Sequence, residues 1–173
     1  MARYEWRRAK RPGTAATSAT RRAAGAVLPV VAAALIGEQA TLPSLAPWSA
    51  SLAKPAFNPP NAIFGPVWSA LYGLMAYAAW RILKFAAPSP ERRAALAFFL
   101  GQLALNAAWS WLFFGLQRPL LGLLDILPQW LLILATVDRF RRLDRIAGLC
   151  VVPLAAWVAF AGLLNYEIWR LNP

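Results

Sequence analysis

Histidine is absent from this 173-residue chain, and cysteine occurs once, at Cys150. Without imidazole, neither a His-based zinc site nor a Ser-His or Cys-His nucleophile pair can be assembled. A single thiol cannot close an internal disulfide. Acidic residues are scarce too, seven against 18 basic ones, and nothing forms a general acid/base pair of the usual kind. The sequence therefore implies no metal site and no required cofactor. What it has is apolar bulk: 60% hydrophobic residues, nine tryptophans and positive mean hydropathy. A net charge of +11 would point to nucleic acid in a soluble protein. Here the basic residues cluster between long apolar runs, so the charge reads as membrane topology, with no nucleic-acid partner.

Residues 1–22, polar and rich in arginine, read as a disordered basic tail ahead of a membrane domain spanning 23–173. The same start has features of a signal peptide and of an organellar transit peptide. Five apolar runs follow, at about 23–45, 62–85, 94–115, 120–137 and 146–169, each long enough to cross a hydrocarbon core of about 30 Å. Near-continuous apolar runs exclude a transmembrane β-barrel, whose strands alternate. The expected fold is thus all-α, an integral membrane bundle of five helices. No internal repeat indicates an inverted-repeat transporter. Five spans place 15 of the 18 basic residues on one side, with Lys54, Arg118 and Arg170 opposite. By the positive-inside rule the N-terminus is then cytoplasmic in a bacterial cell membrane; an organellar membrane is the alternative.

Polar side chains inside membrane helices must be satisfied within the bundle, so their spacing is informative. Gln102, Asn106, Trp109 and Phe113 form one helical stripe on the third span. Trp157, Ala161, Asn165 and Trp169 form another on the fifth, Phe64, Trp68 and Tyr72 one on the second, and Asp125 shares a face with Gln129 on the fourth. Converging, these stripes would enclose a cavity of flat rings with a few polar anchors, suited to a planar or polycyclic apolar ligand. The competing reading is structural: interfacial belt residues for Trp48, Tyr166 and Trp169, and helix-bridging amides for Asn106 and Asn165. Asp125, with no second carboxylate on its helix, reads as hydrogen-bonded or protonated rather than as a catalytic acid.

Lys54, Pro55, Phe57, Asn58, Pro59 and Pro60 precede the second span. Three prolines fix φ and bias their predecessors away from helix, so no helix starts before about Asn61. A loop this stiff loses little entropy on closing and reads as a lid over the mouth of the bundle.

Three motifs carry a family resemblance: KPAFNPPNAIFGPVWSALYGLM (54–75), GQLALNAAWSWLFFG (101–115) with Asp125 ten residues beyond, and PLAAWVAFAGLLNYEIWRLN (153–172). Together they resemble the translocator protein family, also called tryptophan-rich sensory proteins or peripheral-type benzodiazepine receptors. The resemblance covers about residues 29–172. It implies a five-helix bundle, often dimeric, that binds porphyrin or haem and, in animal members, cholesterol and drug-like ligands. By resemblance Trp68 and Trp157 match tryptophans implicated in light-dependent porphyrin degradation. Phe64, Trp109, Ala161, Leu164 and Asn165 match other pocket positions, and Leu164, Tyr166 and Arg170 fit a proposed sterol-recognition pattern. By resemblance Phe57 stands where members commonly carry tryptophan, and Leu121 and Ala107 where animal members do, which marks Phe57 as a residue expected to alter ligand preference. Three functions follow from the resemblance: tetrapyrrole binding for sensing, sequestration or transport; photooxidative porphyrin breakdown; and sterol or lipid transport.

Overall fold

The computed structural model describes residues 12–45 and 48–172. Five helices fill nearly all of them: α1 (Pro12–Leu45), α2 (Asn61–Phe85), α3 (Pro90–Ser110), α4 (Pro119–Leu143) and α5 (Arg145–Leu171). A π turn, Trp111–Gly115, continues α3. All five helices are long and apolar enough to cross a membrane, and no strand occurs among the described residues. The expected all-α membrane bundle is the observed fold.

Local chemistry sets the helix starts. Pro60 stands before α2 at φ −55° and ψ 140°, and the helix begins at Asn61, the first residue free of the proline cluster. Ser89 caps α3 by accepting from the Arg92 N–H at 3.1 Å, and Pro90 fills the first helical position, where its missing donor costs nothing. Asp144 caps α5 by accepting from the Ala147 N–H at 2.8 Å. The same carboxylate takes a bidentate pair from Arg81 at the end of α2, with a closest approach of 2.8 Å. One side chain thus starts a helix and ties it to a neighbour.

Two boundaries differ from the sequence expectation. The basic tail was expected to stay disordered to residue 22, but α1 begins at Pro12; residues 1–11 lie outside the described residues. Segment 12–22 sets three alanines and two arginines among poorer helix formers, and the adjoining apolar helix supplies the nucleus that such a segment lacks alone. The charged link expected over 138–145 is helical up to Leu143, leaving Asp144 as the single break. Arginine favours helix, and the Asp138–Arg142 pair (3.0 Å) is an i,i+4 contact within it.

The helices close a ring in the order α1, α2, α5, α4, α3, each packing on the next and α3 returning to α1. Half of the bundle is solid. Met75, Ala78, Ala79, Ile82, Phe99, Ile133, Phe140, Ala147 and Val151 are buried there as one continuous core. At Gly148 α5 lies close against the end of α4: a Cβ at that position would lie 2.7 Å from the Arg141 backbone.

Candidate functional site

The other half of the bundle is hollow. A cavity of about 540 Å³ opens there, lined by all five helices and by the loop between α1 and α2. Its walls are rings. Phe64 meets Trp157 edge-on at 5.8 Å, Trp68 leans on Tyr72 at 5.4 Å, and Trp109 stacks on Phe113 at 5.0 Å.

Hydrogen bonds hold two of those rings, Trp109 and Tyr72, in place. Asn165 of α5 sits at the centre: its Oδ1 accepts from the Trp109 indole N–H at 3.0 Å, and its Nδ2 donates to the Pro119 carbonyl at 2.7 Å. One amide therefore satisfies a donor on α3 and adds a bond to a carbonyl in the first turn of α4. Gly122 makes room for this junction, because a Cβ there would stand 2.9 Å from Asn165 Oδ1 and 3.1 Å from the Trp109 nitrogen. Nearby, the Tyr72 hydroxyl donates to Asn106 Oδ1 at 2.7 Å, linking α2 to α3. Both amides thus bridge helices and also line the cavity, so the structural and the cavity readings of Asn106 and Asn165 hold together.

Of the residues singled out from sequence, Phe64, Trp68, Trp109, Trp157, Ala161, Leu164 and Asn165 share this cavity. Asp125 does not line it. The carboxylate is buried at 8% exposure with Oδ2 unpartnered, whereas Gln129, one turn along α4, is 2% exposed, lines the cavity and has an unpartnered Nε2. The two share a helical face, and depth alone separates them. In the Leu164, Tyr166 and Arg170 pattern only Leu164 faces inward. Tyr166 is 42% exposed, and Arg170 is exposed and bonded to Glu167 at 2.6 Å, since two residues on a helix point about 200° apart. The three side chains form no common surface.

The lid is placed in part. Lys54 and Asn58 line the cavity, whereas Pro55, Phe57, Pro59 and Pro60 do not. Phe57 is 45% exposed and packs outside, edge-on to Phe160 at 6.3 Å, so its expected influence on ligand preference has no support in its position. A reciprocal clasp anchors the loop: the Ala53 N–H donates to Asn172 Oδ1 at 3.0 Å, and Asn172 Nδ2 donates to the Ala53 carbonyl at 2.9 Å. Asn58 folds the proline segment on itself through a turn bond from its N–H to the Pro55 carbonyl at 2.9 Å.

Of α1, the family resemblance implies only Glu38, at the pocket edge; the rest of that helix's contribution went unread in the sequence. Ala34, Gly37, Glu38 and Thr41 line the cavity from that helix, and their spacing of three to four was the available signal. Phe114 is a second addition. Its backbone carbonyl, left free in the last turn of the α3 extension, accepts from Ser44 Oγ at 3.0 Å and docks the end of α1 there.

Residues 25–170 match the TspO/MBR family. The chain belongs to that family. Among relatives, Protein CrtK of Rhodobacter capsulatus is 41% identical over 143 residues, 83% of this chain and 89% of its own length. Tryptophan-rich protein TspO of Chlorobaculum tepidum is 42% identical, covering 71% of this chain and 78% of that protein. The translocator protein of Bos taurus is 40% identical, covering 72% and 75%. Membership rests on most of the chain, and the TspO/MBR match takes in every residue of the cavity wall named above.

Proposed function

We propose that this TspO/MBR protein binds a tetrapyrrole, porphyrin or haem, within the bundle, and acts in its sensing, sequestration or transport. The observation that carries this reading is the 540 Å³ cavity whose walls are Phe64, Trp68, Trp109 and Trp157. Flat aromatic walls favour a flat conjugated ligand, and the volume falls in the range of about 300–1,000 Å³ typical of small-molecule sites. The polar groups suit the rim of such a ring. Lys54 lines the cavity and makes no ion pair among the described residues, so it offers a cation to a carboxylate side chain. Gln129 offers a buried, unpartnered N–H donor. The names of the relatives, sensory and translocator proteins, fit capture and movement of a ligand. The proposal includes a homodimer, from the family resemblance, and a cytoplasmic N-terminus, from the placement of 15 of 18 basic residues at one end.

Titration of the purified protein with protoporphyrin tests the site: saturable quenching of tryptophan fluorescence is expected, with a much weaker apparent affinity in the Trp68→Phe, Trp157→Phe double variant. Unchanged affinity in that variant would overturn the assignment. A second reading, light-driven oxidation of the bound porphyrin by dioxygen with Trp68 and Trp157 as redox partners, is favoured by both indoles facing one space. It requires that illumination convert porphyrin to a defined product only when both tryptophans are present. Sterol or lipid transport draws no comparable support, because the side chains of its sequence pattern diverge.

A further inference from the structure

A second hollow lies at the opposite, solid end of the molecule. It is a groove of about 310 Å³ among α1, α2 and α3, headed by Arg21 and Arg22 and floored by Gly25, Leu83, Leu96 and Phe99. We propose that this groove is a binding site for an anionic phospholipid of the surrounding leaflet, with the phosphate on the two arginines and an acyl chain along the apolar floor.

Three observations support the assignment. First, the polarity is graded along one axis. The arginines sit at one end, and the floor from Gly25 to Pro29 and onward to Leu100 carries no charged side chain. The distance from Arg22 to Pro29 is about 10 Å at the helical rise of 1.5 Å per residue, so the groove runs from the charged end into the apolar span. An amphiphile lying along it would match both halves; a free anion would leave the floor empty.

Second, the charge at this end is in excess. The described carboxylates here are Glu91, Asp138 and Asp144, of which Asp144 is committed to Arg81 and Asp138 to Arg142. Arg21 and Arg22 make no ion pair among the described residues, and both are exposed. Arg92, one turn before Leu96 on α3, keeps a buried Nε without a partner. A basic pocket between membrane helices at the positively charged side is a setting in which lipid phosphate is recognised.

Third, Gly25 keeps the groove open. A Cβ at that position would only touch the Leu83 side chain, at 3.5 Å, so the glycine is not forced by packing. A large side chain there would occupy the groove itself.

The test is native mass spectrometry of the full chain in neutral detergent, titrated with phosphatidylglycerol or with phosphatidylcholine of identical acyl chains. Phosphatidylglycerol is expected to bind at least about tenfold more tightly at low salt. Replacing both arginines, Arg21→Gln with Arg22→Gln, should weaken that binding about thirtyfold, since each interfacial basic residue contributes about one kcal/mol. Arg21→Lys with Arg22→Lys should restore most of it. Gly25→Trp, or Leu100→Trp at a position already 48% exposed, should weaken it with the charge unchanged. Equal binding of the two lipids, or no effect of the glutamine pair, overturns the proposal. Displacement of phosphatidylglycerol by equimolar glycerol phosphate overturns the acyl-chain half of it.

Discussion

The two ends of this bundle are built from the same five helices, yet one is filled and the other hollow. At the filled end small side chains, Ala78, Ala79, Ala95 and Ala147, let the helices approach, and Met75, Ile82 and the stacked Phe99–Phe140 pair (5.6 Å) fill what remains. At the hollow end large rings line the walls, and two of them are held there by hydrogen bonds, Trp109 by Asn165 and Tyr72 by Asn106. Rings occur at both ends; at the filled end alanines bring the helices onto them, and at the hollow end side-chain amides hold two of them to the walls. Stability is therefore expected to reside at one end and ligand recognition at the other.

The largest effect should come from breaking the filled end. Gly148→Ala places a methyl against the Arg141 backbone, which cannot swing aside, so α4 and α5 must separate at a cost of about 3 kcal/mol or more. Thermal melts in detergent should show a severe loss, with ligand binding lost only because the fold is. At the hollow end, Asn165→Ala removes the acceptor of Trp109 and the donor to Pro119, costing about 1–3 kcal/mol. Its near-ultraviolet circular dichroism should change while helix content holds, and porphyrin affinity should fall further than the melting temperature implies. If the two variants lose stability and binding in the same proportion, the division of labour is wrong.

A smaller and pH-dependent effect concerns the Arg81–Asp144 pair. The Arg81 hydrogen bonds, followed by the cap from the Ala147 N–H, hold the Asp144 carboxyl below the usual carboxylate range. A carboxyl depressed in the folded state stabilises at pH above its unfolded value, near 4, and loses that contribution as pH falls through the folded value. Arg81→Ala should thus lower the melting temperature at pH 7, and the gap to the unsubstituted protein should narrow below about pH 4. A gap constant with pH would mean that the pair contributes through packing alone. The smallest effect should follow Asn172→Ala, which opens the clasp on Ala53 at an exposed site and costs about 1 kcal/mol or less. Hydrogen exchange at the Ala53 amide should accelerate, and ligand association and dissociation should both quicken with little change in melting temperature.

Much of this was legible in the residues. Prolines announce themselves, and Asn61 was the earliest helix start they allowed. The aromatic stripes on α2, α3 and α5 converge because a side chain's face follows from counting residues. Depth does not follow from counting, so of Asp125 and Gln129, expected together on one face of α4, only Gln129 lines the cavity. A loop's path does not either, and Phe57 therefore ended outside. The charged 138–145 segment misled for another reason: loops near membranes are rich in arginine, and so are helix ends. On α1 no ring marked the inward face, and only the small residues Ala34, Gly37 and Thr41 did.

The π turn at Trp111–Gly115 has one consequence of its own. It is a helix turn carrying one residue more than an α-helix would, closed by the Leu116 N–H on the Trp111 carbonyl at 2.7 Å. Across this turn Phe113 and Phe114, adjacent in the chain, both border the cavity. Deleting any one residue of this turn would make the backbone more regular. It would also unship Ser44 from its acceptor and turn an aromatic wall to face lipid, an exchange of local comfort for an empty berth.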